Sequence, residues 1–463
     1  MDRAVRGGRA ALGQRRPVPA GPARPELHVR VTRGAVAGAL VAGLVLVPGA
    51  PARADAVDCT GTTADTPAPS STTDPSLPFD ALGIDAAHSW LAAHGTRGPG
   101  EGVRVAVVDS GIAPRAAGSG IPLARDSFGG GEVVDAHGTI VAGIIAGAPR
   151  TGRDGRELPV GIAPAAEIVD VRVYDSGEPA EGEDPVEPPN VVAGLSWVAQ
   201  NAKRLGIGVV NVSLAMPEYP PLERVLRRLE AADVVVVAAS GNRPQEETDF
   251  LHEEFGPEPD GEGGATTGAR LGEDAGGLVW PAAYPSVVAA SSTADGTGLG
   301  DASGAVLLSS DIDVAVPTFG TISYGLDGGT CGAPGYATSW AAAVVSGVVA
   351  LLRSHYPDEN GRQVVARLLG TASASTELPN VHTGAGVVQP LEALARPLRP
   401  RKADGSLELA ASDGRAVERA TAPPEELDLL AEARDQAVWW GLAGGGALLL
   451  ALILRPVLAR RRS

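Results

Sequence analysis

Lysine is almost missing from this chain of 463 residues, occurring only at Lys203 and Lys402, so arginine carries nearly all the positive charge. Positive charge is in deficit as well: 38 Lys and Arg stand against 55 Asp and Glu, a formal net charge of −17. Such a balance cannot gain affinity by neutralising phosphates, which argues against a nucleic-acid partner. Cysteine appears twice, at Cys59 and Cys331. Hydrophobic residues make up 44% of the chain, an ordinary share for one large folded domain with appendages.

The ends carry the targeting signals. An arginine-rich stretch runs to Arg33, followed by the apolar "GAVAGALVAGLVLVPGA" and then "ARA" at 52–54, a small-x-small cleavage site. Residues 1–54 therefore predict a secretory signal peptide, with a true start nearer Val29 or Val31 given the long first part. Its removal takes away nine arginines and two acids, which makes the remainder still more acidic. At the other end, Val438 to Leu454 is uncharged, with Trp439 and Trp440 at one edge and Arg455, Arg460, Arg461 and Arg462 beyond the other. That pattern predicts a single membrane helix over 438–459 and a cytoplasmic tail of 460–463. The expected location is the cell membrane, crossed once, with the domain between the two ends extracytoplasmic. Both cysteines fall in that exported part, where a disulfide is the simple reading. A lipid anchor on Cys59 is disfavoured, because "AVD" before it lacks the apolar and small residues such a site needs.

Between the ends, strand-like and helix-like segments alternate. "GVRVAVVDS", "AEIVDVRVY", "GVVNVSL", "DVVVVAASGN" and "PSVVAASST" read as short strands buried on both faces. "HGTIVAGIIAG", "VVAGLSWVAQNAKRLG" and "PLERVLRRLEAA" read as helices. This alternation predicts an α/β domain of three layers with a mostly parallel central sheet, over 81–397. A polar extension (55–80) precedes it and a low-complexity linker (398–437) follows. Acidic, Pro/Gly-rich loops at 175–189 and 243–277 interrupt it and are read as solvated.

Parallel sheets of this kind place functional residues at the carboxyl ends of their strands. Asp109 and Asn242 each end a predicted strand, while His137 and Ser339 each begin a predicted helix. For Ser339, in "GYATSWAAAVVSGVVALL", the local residues do not separate a nucleophile from a simple N-cap. The wider set does. A serine hydroxyl needs an imidazole to take its proton, and the imidazole needs a carboxylate to hold its tautomer. The backbone N–H of Ser339 and the side-chain amide of Asn242 could serve a developing oxyanion.

With these motifs the chain resembles the subtilases, the subtilisin-like serine proteases: "VAVVDSGI" around Asp109, "HGTIVAGIIAG" around His137, "NVSLA" at 211–215, "AASGN" ending at Asn242 and "ATSWAAAVVSGVVALL" around Ser339. The resemblance implies Asp109, His137 and Ser339 as the catalytic triad and Asn242 as oxyanion donor. It also implies that Ser213, Leu214, Ala215 and Gly241 line the substrate cleft, with a protein or peptide as substrate and no cofactor or metal. No loop has convincing calcium-ligand spacing. Within the family, the signal, the short extension, the C-terminal helix with its arginine tail, and "LLRSHYPDENGRQVVARLLGTAS" are most similar to the mycosins. These are membrane-anchored subtilases of type VII secretion systems, which makes the membrane complex of such a system an expected partner. A weakly active or inactive subtilase, acting as a structural component that stabilises a secretion complex, is the alternative. In mycosins the extension wraps the domain, and a Cys59–Cys331 bridge would pin it near the active-site entrance. Three residues depart from the family pattern. Ala337 and Ala215 stand where glycine is usual, and Ala343 where proline is usual; Ala337 would be strained if the site needs a positive φ.

Overall fold

The computed structural model describes residues 57–66, 69, 71–95, 97–180, 183–257, 269, 272–294, 302–374, 379–407 and 431–459. The expected signal peptide, the greater part of the linker and the tail lie outside these residues.

Six strands form the central sheet: β1 (Arg104–Asp109), β2 (Glu167–Arg172), β3 (Ile207–Val212), β4 (Val235–Ala239), β5 (Val287–Thr293) and β6 (Val314–Pro317). Their order is β2-β1-β3-β4-β5-β6 and every pairing is parallel. These runs are rich in Val and Ile because both faces are covered. Val105 and Val107 of β1 join one core, with helices α1 (His137–Ala146) and α4 (Thr338–His355). Ala106 and Val108 join the other, with α2 (Pro188–Leu205) and α3 (Pro220–Ala231). The α/β expectation of three layers is met.

Helix α4 is apolar all round because it is buried all round, its 18 residues including only two, Arg353 and His355, that are not buried. Its one central polar contact is made inside the core, where Ser346 Oγ donates to Asn211 Oδ1 at 3.0 Å.

The extension is part of the fold. Cys59 is fully buried and bonded to Cys331, with the two Cα atoms 5.0 Å apart. Around that bridge, Gly332 N donates to Val57 O (2.8 Å), Leu326 N to Thr62 Oγ1 (2.9 Å) and Thr72 N to Thr330 O (2.8 Å). Arg150 donates to the carbonyls of Thr72 and Asp74, and Arg153 Nε to Thr73 Oγ1 at 2.7 Å. The bridge closes a loop with a sequence separation of 272, worth on the order of 5 kcal/mol by loop-closure entropy. Cys59→Ser is thus expected to lower the unfolding midpoint by about 10 °C or more and to expose the segment around residues 57–66 to protease. A midpoint equal to that of the oxidised parent would show that the bridge adds nothing.

Two expectations change. Residues 398–407, read as linker, pack on the helix Gly361–Gly370: Pro400 O and Leu398 O accept from Gln363 Nε2 and Arg367, each at 2.8 Å. The 243–277 loop is not simply solvated, since Arg243 and Glu273 form an ion pair at 2.7 Å with side chains 2% and 1% exposed. A guanidinium buried directly after Asn242 requires a counter-charge, and the loop folds back to supply it. Among the described residues no helix is long and apolar enough to cross a membrane. Helix Ala431–Ala459 occupies the expected segment.

Candidate active site

The carboxyl ends of β1, β3 and β4 meet the N-terminal turns of α1 and α4. β1 ends at Asp109, which is fully buried, and the turn after it holds the start of α1. Ser110 Oγ accepts from Gly138 N at 3.0 Å and Asp135 Oδ1 from His137 N at 2.8 Å. Two of the free first-turn amides of α1 are thereby capped from outside the helix. Gly138 permits this approach, because a Cβ there would lie 2.5 Å from Gly111 O.

The result is a hydrogen bond of 2.7 Å between His137 Nδ1 and Asp109 Oδ1. His137 is 23% exposed at its side chain, so the pair has one dry and one open end. Burial pulls the imidazole pKa down, but the charge and hydrogen bond of Asp109 and the charge of Asp135 outweigh it and raise it above the ordinary value.

At α4 the cap position is Ala337, and Ser339 sits two residues into the first turn. Ser339 is not the N-cap. That task falls to Asn242 from across the sheet end, whose Oδ1 accepts from Thr338 N (2.9 Å) and Thr338 Oγ1 (3.0 Å). Its Nδ2 makes no hydrogen bond among the described residues and remains available as a donor. The N–H of Ser339 has no acceptor within the helix either. Gly241 reaches this junction with φ +109°, and its N–H donates to Thr338 Oγ1 at 3.3 Å. Ala337 has φ −149°, ordinary extended backbone, so the condition under which an alanine here would be strained, a positive φ, is not met.

Ser213 is tied to Ser339 twice: Ser339 Oγ donates to Ser213 O at 3.1 Å, and Ser213 Oγ donates to Ser339 O at 2.9 Å. The carbonyl of Ser213, a residue expected to line the substrate cleft, thus holds the serine hydroxyl, and no hydrogen bond joins Ser339 to His137. Leu214 is buried in the core under α2 and α3, while Ala215 is half-buried against it. Trp340 packs its ring 5.1 Å from that of His137 and anchors its own N–H on Pro334 O at 2.9 Å. Among the described residues, no group of three or more His, Cys, Asp or Glu could hold a metal ion.

Sequence reasoning missed two residues here. Tyr174, beyond β2, donates its hydroxyl to Asp109 Oδ1 at 3.0 Å. Asp170, on β2, has a carboxyl pushed up to about 6, first by burial, with the charge of Asp109 adding to it; its Oδ1 is buried without a partner. A carboxyl whose folded pKa is raised weakens the fold as pH rises from about 4 to about 6, and the cost persists above that. Asp170→Asn is therefore expected to stabilise the protein by about 2 kcal/mol at pH 8 and by almost nothing at pH 4. Denaturant midpoints at the two pH values measure this, and destabilisation at pH 8 would show that the carboxylate has a partner.

A profile of the subtilase family matches residues 100–388. This chain belongs to the subtilase family. Mycosin-1 of Mycobacterium tuberculosis is 30% identical to this subtilase over 346 residues, covering 69% of the chain and 73% of the relative. A crystal structure of MycP1 from the ESX-1 type VII secretion system superimposes with a TM-score of 0.55 at 25% identity, covering 76% of the chain and 93% of that structure. A chain of the intact ESX-5 inner membrane complex shares the fold, with a TM-score of 0.52 at 23% identity over 86% of this subtilase and 93% of that chain.

Proposed function

We propose that this subtilase is an extracytoplasmic serine endopeptidase of mycosin type, acting at a type VII secretion membrane complex. His137 takes the proton of Ser339 Oγ as the hydroxyl attacks a peptide carbonyl. Asp109 holds the imidazole with its proton on Nδ1, leaving Nε2 as the base. The oxyanion is met by Asn242 Nδ2 and the Ser339 N–H at the start of α4. The acyl-enzyme is then hydrolysed with His137 activating water. The observation that carries this reading is the short Asp109–His137 hydrogen bond at the sheet end where Asn242 caps the Ser339 helix. The serine hydroxyl must first leave Ser213 O, a side-chain rotation of the kind substrate binding induces.

Tethering by the 438–459 segment belongs to the same reading, supported by its uncharged run, the paired tryptophans and the terminal arginines. A second reading, a structural subunit without turnover, is favoured by the Ser339–Ser213 hydrogen bond and by the likeness to a chain of a secretion membrane complex. The two separate in a deletion strain complemented with full-length Ser339→Ala. Lost secretion supports the endopeptidase; restored secretion supports the structural subunit.

A further inference from the structure

The polar end of β2 does something that the triad alone does not require. Val173 N donates to Asp109 O at 2.9 Å, and the next residue, Tyr174, turns its ring inward until only 4% of it is exposed. Its hydroxyl lies 3.0 Å from Asp109 Oδ1 and 3.3 Å from His137 Nδ1. The same carboxylate oxygen also accepts His137 Nδ1–H at 2.7 Å and Ser110 N–H at 2.8 Å. The other oxygen, Oδ2, is buried with no partner. Three donors therefore converge on one atom.

We propose that Tyr174 is a positioning residue of the peptidase site, whose hydroxyl shares Asp109 Oδ1 with His137 and weakens that oxygen's hold on the imidazole proton. The inference rests on the endopeptidase reading for its consequence, but its geometry stands without it. A donor to a carboxylate stabilises the charge, so the oxygen gains less from a protonated imidazole beside it. His137 then loses its extra proton at lower pH and is available as a base over a wider range. Tyr174 stays a donor throughout, because burial, with the charges of Asp109 and Asp135, holds its hydroxyl far above the usual phenol range.

The other ionisable groups around the pair have their own partners. Asp135 accepts His137 N and, at 3.0 Å, Gly177 N. Asp170 accepts Ile112 N at 3.3 Å, and Arg172 is bound to Asp175 at 2.7 Å and to Gly130 O at 3.0 Å. None of them uses the Tyr174 hydroxyl, so Tyr174→Phe removes only that hydroxyl's contacts with Asp109, His137 and Ser110 and leaves the ring in place.

The test measures the second-order rate of fluorophosphonate labelling from pH 5 to 9 on full-length protein in detergent, together with an NMR titration of the His137 Cε1–H. Tyr174→Phe is expected to raise the apparent pKa of the acid limb by about half to one unit, slowing labelling several-fold near pH 6 and less than about threefold at pH 9. The NMR titration should move by the same amount. Tyr174→Leu, which also removes the ring, should show the same shift with a lower unfolding midpoint. A purely space-filling tyrosine would leave both pH curves unmoved in the Phe variant, and that result overturns the inference. If the parent protein is not labelled at all, the endopeptidase reading fails; the NMR titration still decides the role of Tyr174.

Discussion

Ser339→Ala is expected to abolish labelling by a fluorophosphonate and to lower peptide hydrolysis by about a million-fold, the scale seen when subtilisin loses its nucleophile. The fold should not notice. The substitution removes a hydrogen bond of 3.1 Å to Ser213 O, worth about 1 kcal/mol, and alanine is a strong helix former in the first turn of α4. The midpoint of thermal unfolding should therefore stay within about 3 °C of the parent. Labelling that persists in the variant would remove Ser339 from the mechanism. A large fall in stability with partial activity would recast Ser339 as a structural tie to Ser213.

The second large effect is at Asn242, where two functions sit on one side chain. Oδ1 caps α4 through Thr338, and Nδ2 is the free donor. Asn242→Ala should cost about a hundred- to a thousand-fold in kcat with little change in KM, the range found for the oxyanion asparagine of subtilisin itself. It should also cost about 1 kcal/mol of stability through the lost cap. Asn242→Asp separates the two. A carboxylate still accepts from Thr338 and suits a helix N-terminus, so stability should be kept while kcat collapses. Steady-state kinetics beside unfolding curves for both variants measure this. An Asp variant that retains kcat would rule out the amide as an oxyanion donor.

The strands that end at Asp109 and lead into Asn242 were legible in the sequence because β1 and β4 are covered on both faces and read as unbroken apolar runs, β4 stopping at Ala239 before the turn that holds Asn242. Ser339 was ambiguous for a local reason, since a serine near the start of an apolar helix caps more often than it reacts. Only the cap supplied by Asn242, 97 positions earlier, frees it from that role. Tyr174 left no signal, because a lone tyrosine after a strand has no period or spacing that points to Asp109. The Arg243–Glu273 pair was hidden inside an acidic stretch whose composition suggests solvent. Ala337 misled in the other direction: a family glycine suggested a positive φ, whereas the backbone is extended. Polar pairings across loops are set by tertiary contact, which residue pattern does not encode.

The central claim is tested most directly by a crystal structure of the full-length protein after reaction with a fluorophosphonate. The account predicts phosphorus bonded to Ser339 Oγ, its oxygen about 2.7–3.1 Å from both Asn242 Nδ2 and the Ser339 N–H, and His137 Nε2 turned toward the adduct. Phosphorus on another residue, or an Asn242 amide facing away from the bound oxygen, would contradict it.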